Sequence, residues 1–371
     1  MVGLSTSSRL PALLSVPPAT HGALLGGSGR SKLLWDILRQ GEDPYADASP
    51  IGKKFRRALE ASFQRPTYDV IDEASSECGT RKLLLSLPDT GSEVETVIIP
   101  SPNGEFSTLC VSSQVGCRQA CSFCATGTMG LLRSLGAEEI LAQVHAAAAC
   151  IGGSRAALPP LRNVVFMGMG EPADNFEAVS TALESLIHPH GFGLAKRHVC
   201  VSTVGPSPEH IRRLTPLPAR LAWSVHAADD ELRQLLVPTT RHSMAELRDA
   251  WKATLEARGD RGLMAEVTLI KGVNDDAAHA ERLYELLTPL PGKTRINLIP
   301  YNANAGLGAA GQLFRPSPPE AVQAFQHKLV TMGVICTVRT PRGADDSSAC
   351  GMLRVEHQKR SRPPKEIQEA A

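Results

Sequence analysis

Aromatic side chains are scarce in this sequence, and its charges nearly balance. Phe, Trp and Tyr together make up 4% of the 371 residues, and the formal net charge is +1. The low aromatic content argues against an extended surface for stacking bases, and the balanced charge restricts any contact with nucleic acid to local basic patches. No apolar run approaches the roughly 20 residues that a transmembrane helix needs. The sequence therefore predicts no membrane association.

Acidic residues are absent from the start of the chain, and the cysteines do not follow a disulfide pattern. No Asp or Glu precedes Asp36, and Ser, Pro, Gly and Ala are abundant there. Residues 1–30 are predicted to be a disordered leader or, alternatively, a transit segment for a mitochondrion or plastid. The nine cysteines are odd in number and unevenly spaced, which argues against a secreted disulfide framework. We expect a cytoplasmic protein, with an organellar location as the alternative.

Three cysteines, Cys117, Cys121 and Cys124, lie within one short segment. A cubane iron–sulfur cluster takes four ligands, so three thiolates from the protein would leave one iron open to a small molecule. A structural zinc site is the first alternative, although such sites are normally closed by four protein ligands. Three buried structural cysteines are the second alternative.

Strand and helix patterns alternate from about Thr108 onwards. The candidate strands are residues 108–112, 163–167, 198–203, 220–226, 264–270, 296–301 and 334–340. Repeated strand–helix units predict a parallel sheet with helical crossovers. Before them, apolar residues at helical spacing between Leu33 and Phe63 predict a small helical module, and residues 82–87 and 93–99 are predicted to be strands. We expect a helical accessory domain over 31–90, a barrel over 91–343, and a loop with a basic tail over 344–371.

Polar residues stand where the predicted strands end. The cysteine segment follows the first strand, and Gly-Met-Gly-Glu-Pro follows the second at 168–172. Further strands end in or are followed by Ser202, Ser224, His226 and Asn302. Because the chemistry of such barrels gathers at the carboxyl ends of the strands, these residues are predicted to share one site.

Six motifs carry a resemblance to a known family. They are Leu-Cys-Val-Ser-Ser-Gln-Val-Gly-Cys at 109–117, Phe-Met-Gly-Met-Gly-Glu-Pro at 166–172, Gly-Phe-Gly-Leu at 191–194, Ser-Val-His at 224–226, Ile-Asn-Leu-Ile-Pro-Tyr-Asn at 296–302 and Ala-Cys-Gly at 349–351. The chain resembles the radical S-adenosylmethionine (SAM) superfamily and, within it, the adenosine C2 methyltransferases of large-subunit rRNA and tRNA. It is also similar to the related C8 methylases, and Pro172 favours the C2 group.

The resemblance implies a fold and a set of cofactors. The fold is α/β, a partial (β/α)6 TIM-like barrel with a small N-terminal helical accessory domain. Cys117, Cys121 and Cys124 would bind a [4Fe–4S] cluster. Two SAM molecules would be used per turnover, at a site formed by Gly170, Glu171, Ser202, Ser224, Val225, His226 and Asn302. The expected partners are large-subunit rRNA, tRNA and an external electron donor such as flavodoxin or ferredoxin, and the protein is expected to be a monomer.

The same resemblance implies three catalytic residues. One SAM would methylate Cys350, and a radical from a second SAM would activate that methyl group to add to the adenine ring. Glu95 would remove the ring proton, and Cys110 would attack the sulfur of Cys350 to release the product with a transient disulfide. A hypothesis of a different class is a non-enzymatic iron–sulfur or zinc RNA-binding protein in which Cys110 is the fourth ligand.

Overall fold

The computed structural model describes residues 10–88, 90–153, 158–302 and 313–339. Most of its strands form one ten-stranded sheet in the order β1-β2-β3-β4-β7-β8-β9-β10-β11-β12. Their bounds are β1 Asp69–Ser75, β2 Arg81–Leu87, β3 Ser92–Pro100, β4 Ser107–Val111, β7 Leu161–Phe166, β8 Val199–Thr203, β9 Arg220–Ser224, β10 Met264–Leu269, β11 Arg295–Pro300 and β12 Ile335–Val338. Neighbours from β4 to β12 pair in parallel, whereas β1 to β4 pair antiparallel.

The helices that lie between the parallel strands connect them and cover one face of the sheet, and the first helices of the chain precede β1. They are α1 Pro18–Leu25, α2 Ser28–Arg39, α3 Lys53–Ser62, α4 Ala137–Gly152, α5 Phe176–Ile187, α6 Pro208–Arg213, α7 Asp230–Leu236, α8 Met244–Arg258, α9 Ala277–Leu287 and α10 Pro319–Thr331. A separate hairpin, β5 Gln114–Gly116 with β6 Leu131–Ser134, follows β4. The expected partial (β/α) barrel is confirmed, with all the predicted parallel strands present.

The two faces of the sheet differ in chemistry because side chains alternate along each strand. On the outer face, Leu109, Val164, Val201, Trp223 and Val267 are buried in one apolar cluster with the helices. The opposite face, which we call the inner face, carries polar side chains. Burial of the outer face fixes the register of each strand, because a slip of one residue would exchange the two faces. Core packing thereby determines which residues reach the inner face.

Residues 10–30 depart from the predicted disordered leader. Leu13 and Leu14 are fully buried, and Pro18 begins α1 at the first helical position. Proline is favoured at that position because its missing N–H has no helical partner there. His21 is buried, and its ring nitrogens meet the indole N–H of Trp35 at 2.9 Å and the carbonyl oxygen of Leu13 at 3.1 Å. The prediction of disorder was therefore wrong for residues 10–30.

The predicted accessory domain shares its core with the barrel. One apolar cluster includes Leu34 of α2, Phe63 after α3, Ile140 of α4 and Leu109 of β4, and β2 and β3 extend the barrel sheet itself. The expected strands at 82–87 and 93–99 correspond to these two. Strand β1, which the sequence did not predict, forms one edge of the sheet and β12 forms the other. In the described part of the chain, no helix is long and apolar enough to cross a membrane.

Candidate active site

The cysteine segment forms a compact loop between β5 and β6. Backbone hydrogen bonds close the loop. The N–H of Cys117 donates to the carbonyl oxygen of Gly130 (2.9 Å), the N–H of Cys124 to the carbonyl oxygen of Cys121 (3.0 Å), and the N–H of Gly127 to the carbonyl oxygen of Cys124 (3.0 Å). A Cβ atom at Gly127 would lie 2.8 Å from the carbonyl oxygen of Cys121. Only glycine therefore allows the chain to pass this close to the cysteines.

Neighbouring elements hold this loop in place. Arg118 makes a two-pronged ion pair with Asp174 at 2.9 Å for each bond, and the amide of Gln119 donates to the same carboxylate at 2.8 Å. On the other side, the N–H of Ser122 donates to the carbonyl of Leu236 at the end of α7 (3.0 Å). The loop is thus fixed between the segment after β7 and the helix after β9.

Burial keeps the side chains of Cys117 and Cys121 in the thiol form in the absence of a ligand. It raises the pKa of Cys117 to about 12 and the pKa of Cys121 further still. Thiolate is the form that binds metal, so a bound cationic group must supply the stabilisation. No three ligand side chains among the described residues are placed to hold a single metal ion. A cluster of four irons differs in this respect, because each thiolate binds its own iron, and the three cysteines of this loop fit that donor set.

The segment after β7 packs against the segment after β4. Gly170 has φ +96°, and a Cβ there would lie 2.5 Å from the side chain of Gln114. The carboxylate of Glu171 accepts from the N–H groups of Ala173 (2.9 Å) and Val204 (3.0 Å). Burial raises the pKa of Glu171 to about 7. Glu171 therefore joins the loops after β7 and β8.

A ladder of polar side chains crosses the inner face. The hydroxyls of Ser202 and Ser224 are 3.0 Å apart, and Ser202 donates to the carboxylate of Glu266 at 3.1 Å. Asn297 donates to the other oxygen of Glu266 (3.3 Å) and accepts from Thr337 (3.2 Å). The network spans five neighbouring strands. Sequence reasoning found the two serines but missed Glu266 and Asn297, whose only signal is a polar residue within an apolar strand.

His226 and Val225 point to opposite sides of the sheet. His226 has φ +56°, its Nδ1 accepts from the N–H of Thr268 (3.2 Å), and its ring meets that of Phe123 in the cysteine loop edge-on, 4.6 Å between centroids. Burial lowers the pKa of His226 well below its usual value, so the ring is neutral. The side chain of Val225 lies in the apolar cluster of the outer face. Its backbone N–H donates to the backbone carbonyl oxygen of Glu266 (2.9 Å).

Glu95 and Cys110 share the inner face. Cys110 pairs with Val97 across β3 and β4, and Glu95 stands two residues from Val97 on the same face. Both side chains are buried, with 3% of Glu95 and 5% of Cys110 exposed. The backbone of Glu95 is held by the hydroxyl of Ser112, which donates to its carbonyl at 2.6 Å. A carboxyl group and a thiol are thereby placed on the same face as the polar ladder, with β7 between the thiol and the first ladder strand.

The remaining predicted residues lie at or beyond the end of the described chain. Asn302 is exposed and lies two residues after the end of β11, at the carboxyl end of the sheet as expected. Cys350 lies outside the described residues. Arg233 of α7, which sequence reasoning did not single out, is fully buried behind the cysteine loop. Its charge gave no signal, because an Arg in a short polar helix is usually solvated.

The fold and the three-cysteine loop define a radical SAM protein. Residues 111–284 match the model of the Radical SAM superfamily, and membership implies a [4Fe–4S] cluster and SAM as cofactors. The chain is 37% identical over 97% of its length to a dual-specificity RNA methyltransferase RlmN of Xanthobacter autotrophicus, covering 91% of that protein. It is 38% identical over 98% of its length to the RlmN protein of Granulibacter bethesdensis, covering 89% of it.

A solved structure agrees with these sequence comparisons. A radical SAM methyltransferase from Sphaerobacter thermophilus superposes with a TM-score of 0.81 at 36% identity, over 92% of this chain and 98% of that one. The chain belongs to the family of the dual-specificity RNA methyltransferases RlmN. It is accordingly a radical SAM methyltransferase.

Proposed function

We propose that this enzyme methylates carbon 2 of an adenosine in large-subunit rRNA, and also in tRNA, through a methylated Cys350. The relatives are named as dual-specificity RNA methyltransferases, which supports an RNA substrate. The observation that carries the proposal is the placement of Cys110 and Glu95, both buried, on the inner face that also carries Ser202 and Ser224. A thiol, a carboxyl group and a polar ladder then face the same space.

The proposed roles follow from the chemistry of each group. When bound, the cluster and SAM supply a carbon radical that can remove hydrogen from an unactivated methyl group. Glu95, shielded from water, would accept the proton that leaves the adenine ring. Cys110 would attack the sulfur of Cys350, so that a sulfur–sulfur bond forms, the carbon–sulfur bond breaks, and the released carbon takes up a proton as the new methyl group. One of two SAM molecules per turnover would methylate Cys350.

The length of the chain after β12 allows Cys350 to take part. Twelve residues lead from Val338 to Cys350, and such a segment reaches at most roughly 40 Å when extended. Six strand spacings separate β12 from β4, the strand of Cys110. At roughly 4.8 Å each they amount to roughly 29 Å along the sheet. The segment is therefore long enough for the sulfur atoms of Cys350 and Cys110 to come within bonding distance.

The target base must leave its stack to reach the inner face. Adenine within a helix is covered by its neighbours, so an unpaired or flipped adenosine is the expected substrate. We further propose an external electron donor such as flavodoxin or ferredoxin, and a monomeric enzyme. The exposed Lys196 and Arg197, at the amino end of β8, would contact phosphates rather than bases.

Mass spectrometry of nucleosides tests the reaction. The enzyme is incubated without oxygen with reductant, SAM and unmodified rRNA or tRNA, and new 2-methyladenosine is the expected product. New 8-methyladenosine would keep the mechanism and assign the enzyme to the C8 group. Neither product, from a preparation that holds iron and cleaves SAM, would refute adenosine methylation.

A pair of cysteine variants separates catalysis from metal binding. Cys110→Ala should keep its iron and its cleavage of SAM but lose RNA methylation. Cys200→Ala is the matched control, because Cys200 is also buried on the inner face, two strands away from Cys110, and should retain activity. Loss of iron in Cys110→Ala would instead make Cys110 a metal ligand and support the non-enzymatic hypothesis.

A further inference from the structure

Arg233 is a buried cation. The described residues around it accept hydrogen bonds from its guanidinium but do not neutralise its charge. Only 1% of the residue is exposed. Its guanidinium donates to the carbonyl oxygens of Ser224 (2.8 Å), Val225 (2.6 Å) and Val204 (2.5 Å). Its buried Nε–H has no partner in the described part of the chain. None of the ion pairs found among the described residues involves Arg233.

A buried charge without a counter-charge is strongly unfavourable. Neutral carbonyl groups satisfy hydrogen bonds but leave the charge in place, so an anion is expected nearby. Burial lowers the pKa of Arg233 to about 10, whereas Cys121 and Glu171 act in the opposite direction. Glu171 forms no ion pair with Arg233 among the described residues, and its carboxylate is held by the N–H groups of Ala173 and Val204. With a cluster bound through three thiolates, the cysteine loop would carry negative charge, and this loop is held directly by α7.

Helix α7 connects Arg233 to the cysteine loop directly. Three residues after Arg233, the carbonyl of Leu236 accepts the N–H of Ser122, which lies next to Cys121. The carbonyls that accept hydrogen bonds from the guanidinium belong to the last residue of β9, to the residue after it, and to the residue after β8. One side chain therefore holds two strand ends and places a fixed positive charge behind the loop.

We propose that Arg233 is the fixed counter-cation of the cluster site, a positioning residue that raises the reduction potential of the cluster and sets the strand ends around it. This rests on the part of the proposed function in which the three cysteines bind the cluster. Three thiolates outweigh the positive charge of an oxidised four-iron core, and reduction adds an electron. A nearby positive charge stabilises the reduced state more than the oxidised state, and net charge near the cluster is a known determinant of its potential.

Redox titration of the reconstituted enzyme, followed by electron paramagnetic resonance without SAM, tests the proposal. In Arg233→Gln the ratio of reduced to oxidised cluster at a fixed potential should fall about tenfold, a shift of about 59 mV to more negative values for a one-electron couple. Arg233→Lys keeps the charge and should stay within about twofold of wild type. Arg258→Gln is the matched control, since Arg258 also donates to several carbonyls but at the amino end of β9, and should leave the potential unchanged.

Several outcomes would overturn the proposal. If Arg233→Gln retains its cluster and the cluster has the wild-type reduction potential, Arg233 is not the counter-cation. If SAM binds that variant more weakly at the same reduction potential, Arg233 instead pairs with the SAM carboxylate. An equal shift in Arg233→Lys would show that hydrogen bonds matter rather than charge. If Arg233→Gln fails to retain iron, Arg233→Lys decides: retention of the cluster with the wild-type potential supports the requirement for a positive charge, and loss of the cluster refutes it. Absence of a cluster in the wild type would contradict the proposed function itself.

Discussion

Acidification should destabilise the protein through His21, which the structure buries near the N-terminus. The indole N–H of Trp35 donates to Nδ1 of His21, so the ring proton is on Nε2 and donates to the carbonyl of Leu13. A second proton on Nδ1 would face the indole donor. Burial accordingly lowers the pKa of His21 from 6.5 to about 4. The neutral ring is the form that this site accepts.

The sign and the size of the effect follow from this pKa. The unfolded chain takes up a proton on His21 below about pH 6.5, whereas the folded chain does so only below about pH 4. Between these values the unfolded state binds more protons, so stability falls as the pH is lowered. The difference in pKa corresponds to about 3 kcal/mol of unfolding free energy, at about 1.4 kcal/mol per pH unit. That is a large part of the stability of a typical domain.

Urea unfolding of the iron-free protein at pH 7 and pH 4, followed by circular dichroism, measures this loss. Comparing wild type with His21→Gln removes the contribution of all other groups that titrate in the same range. The variant should lose about 3 kcal/mol less than wild type over this interval. His190→Gln, at an exposed histidine, should behave as wild type. Equal losses in wild type and His21→Gln would refute the assignment.

Three further predictions concern the active site. Cys110→Ala should accumulate a covalent protein–RNA adduct, visible as a slower band on a denaturing gel, and a variant without the adduct would argue against thiol-dependent release. Glu266→Leu should weaken SAM binding about tenfold in equilibrium dialysis of the enzyme with its cluster, because Ser202 and Asn297 would both lose the acceptor to which they now donate. An unchanged affinity would remove the ladder from the SAM site. Gly127→Ala should lower the iron content more than twofold, since its Cβ would displace the cysteine loop. The control Gly29→Ala, with open space around the added Cβ, should bind iron as the wild type does. Equal iron content in the two variants would show that the loop can accommodate the added Cβ.

Much of the barrel was predictable because its strands are buried on both sides or nearly so. In β8, for example, every residue is buried, and such apolar runs are recognisable between turns. Ser202 at the end of that run was therefore conspicuous. The positions of polar residues at strand ends also predicted a shared site, because parallel strands place all their carboxyl ends at one edge.

The parts that could not be predicted depend on tertiary contacts. Arg233 has the sequence context of a solvated helix, and only the packing of α7 against the cysteine loop buries it. Strand β1 is largely exposed, so it lacks the apolar signal of its neighbours. Residues 1–30 have the composition of a disordered leader, yet Pro18 begins α1. In each case the local sequence allows two structures, and contacts with distant residues decide between them.

The open edge formed by β1 has a consequence for how RNA can approach. Asp69 and Asp72 lie on this strand, and Glu73 pairs with Arg81 of β2 at 2.6 Å. Charged side chains on a free edge discourage pairing with another sheet, and carboxylates repel phosphate. In the part of the chain that the structure describes, this margin therefore disfavours strand pairing with another sheet and the approach of a polyanion. A large nucleic acid is instead expected to reach the inner face from the carboxyl ends of the strands, with phosphate contacts to Lys196 and Arg197 at the amino end of β8.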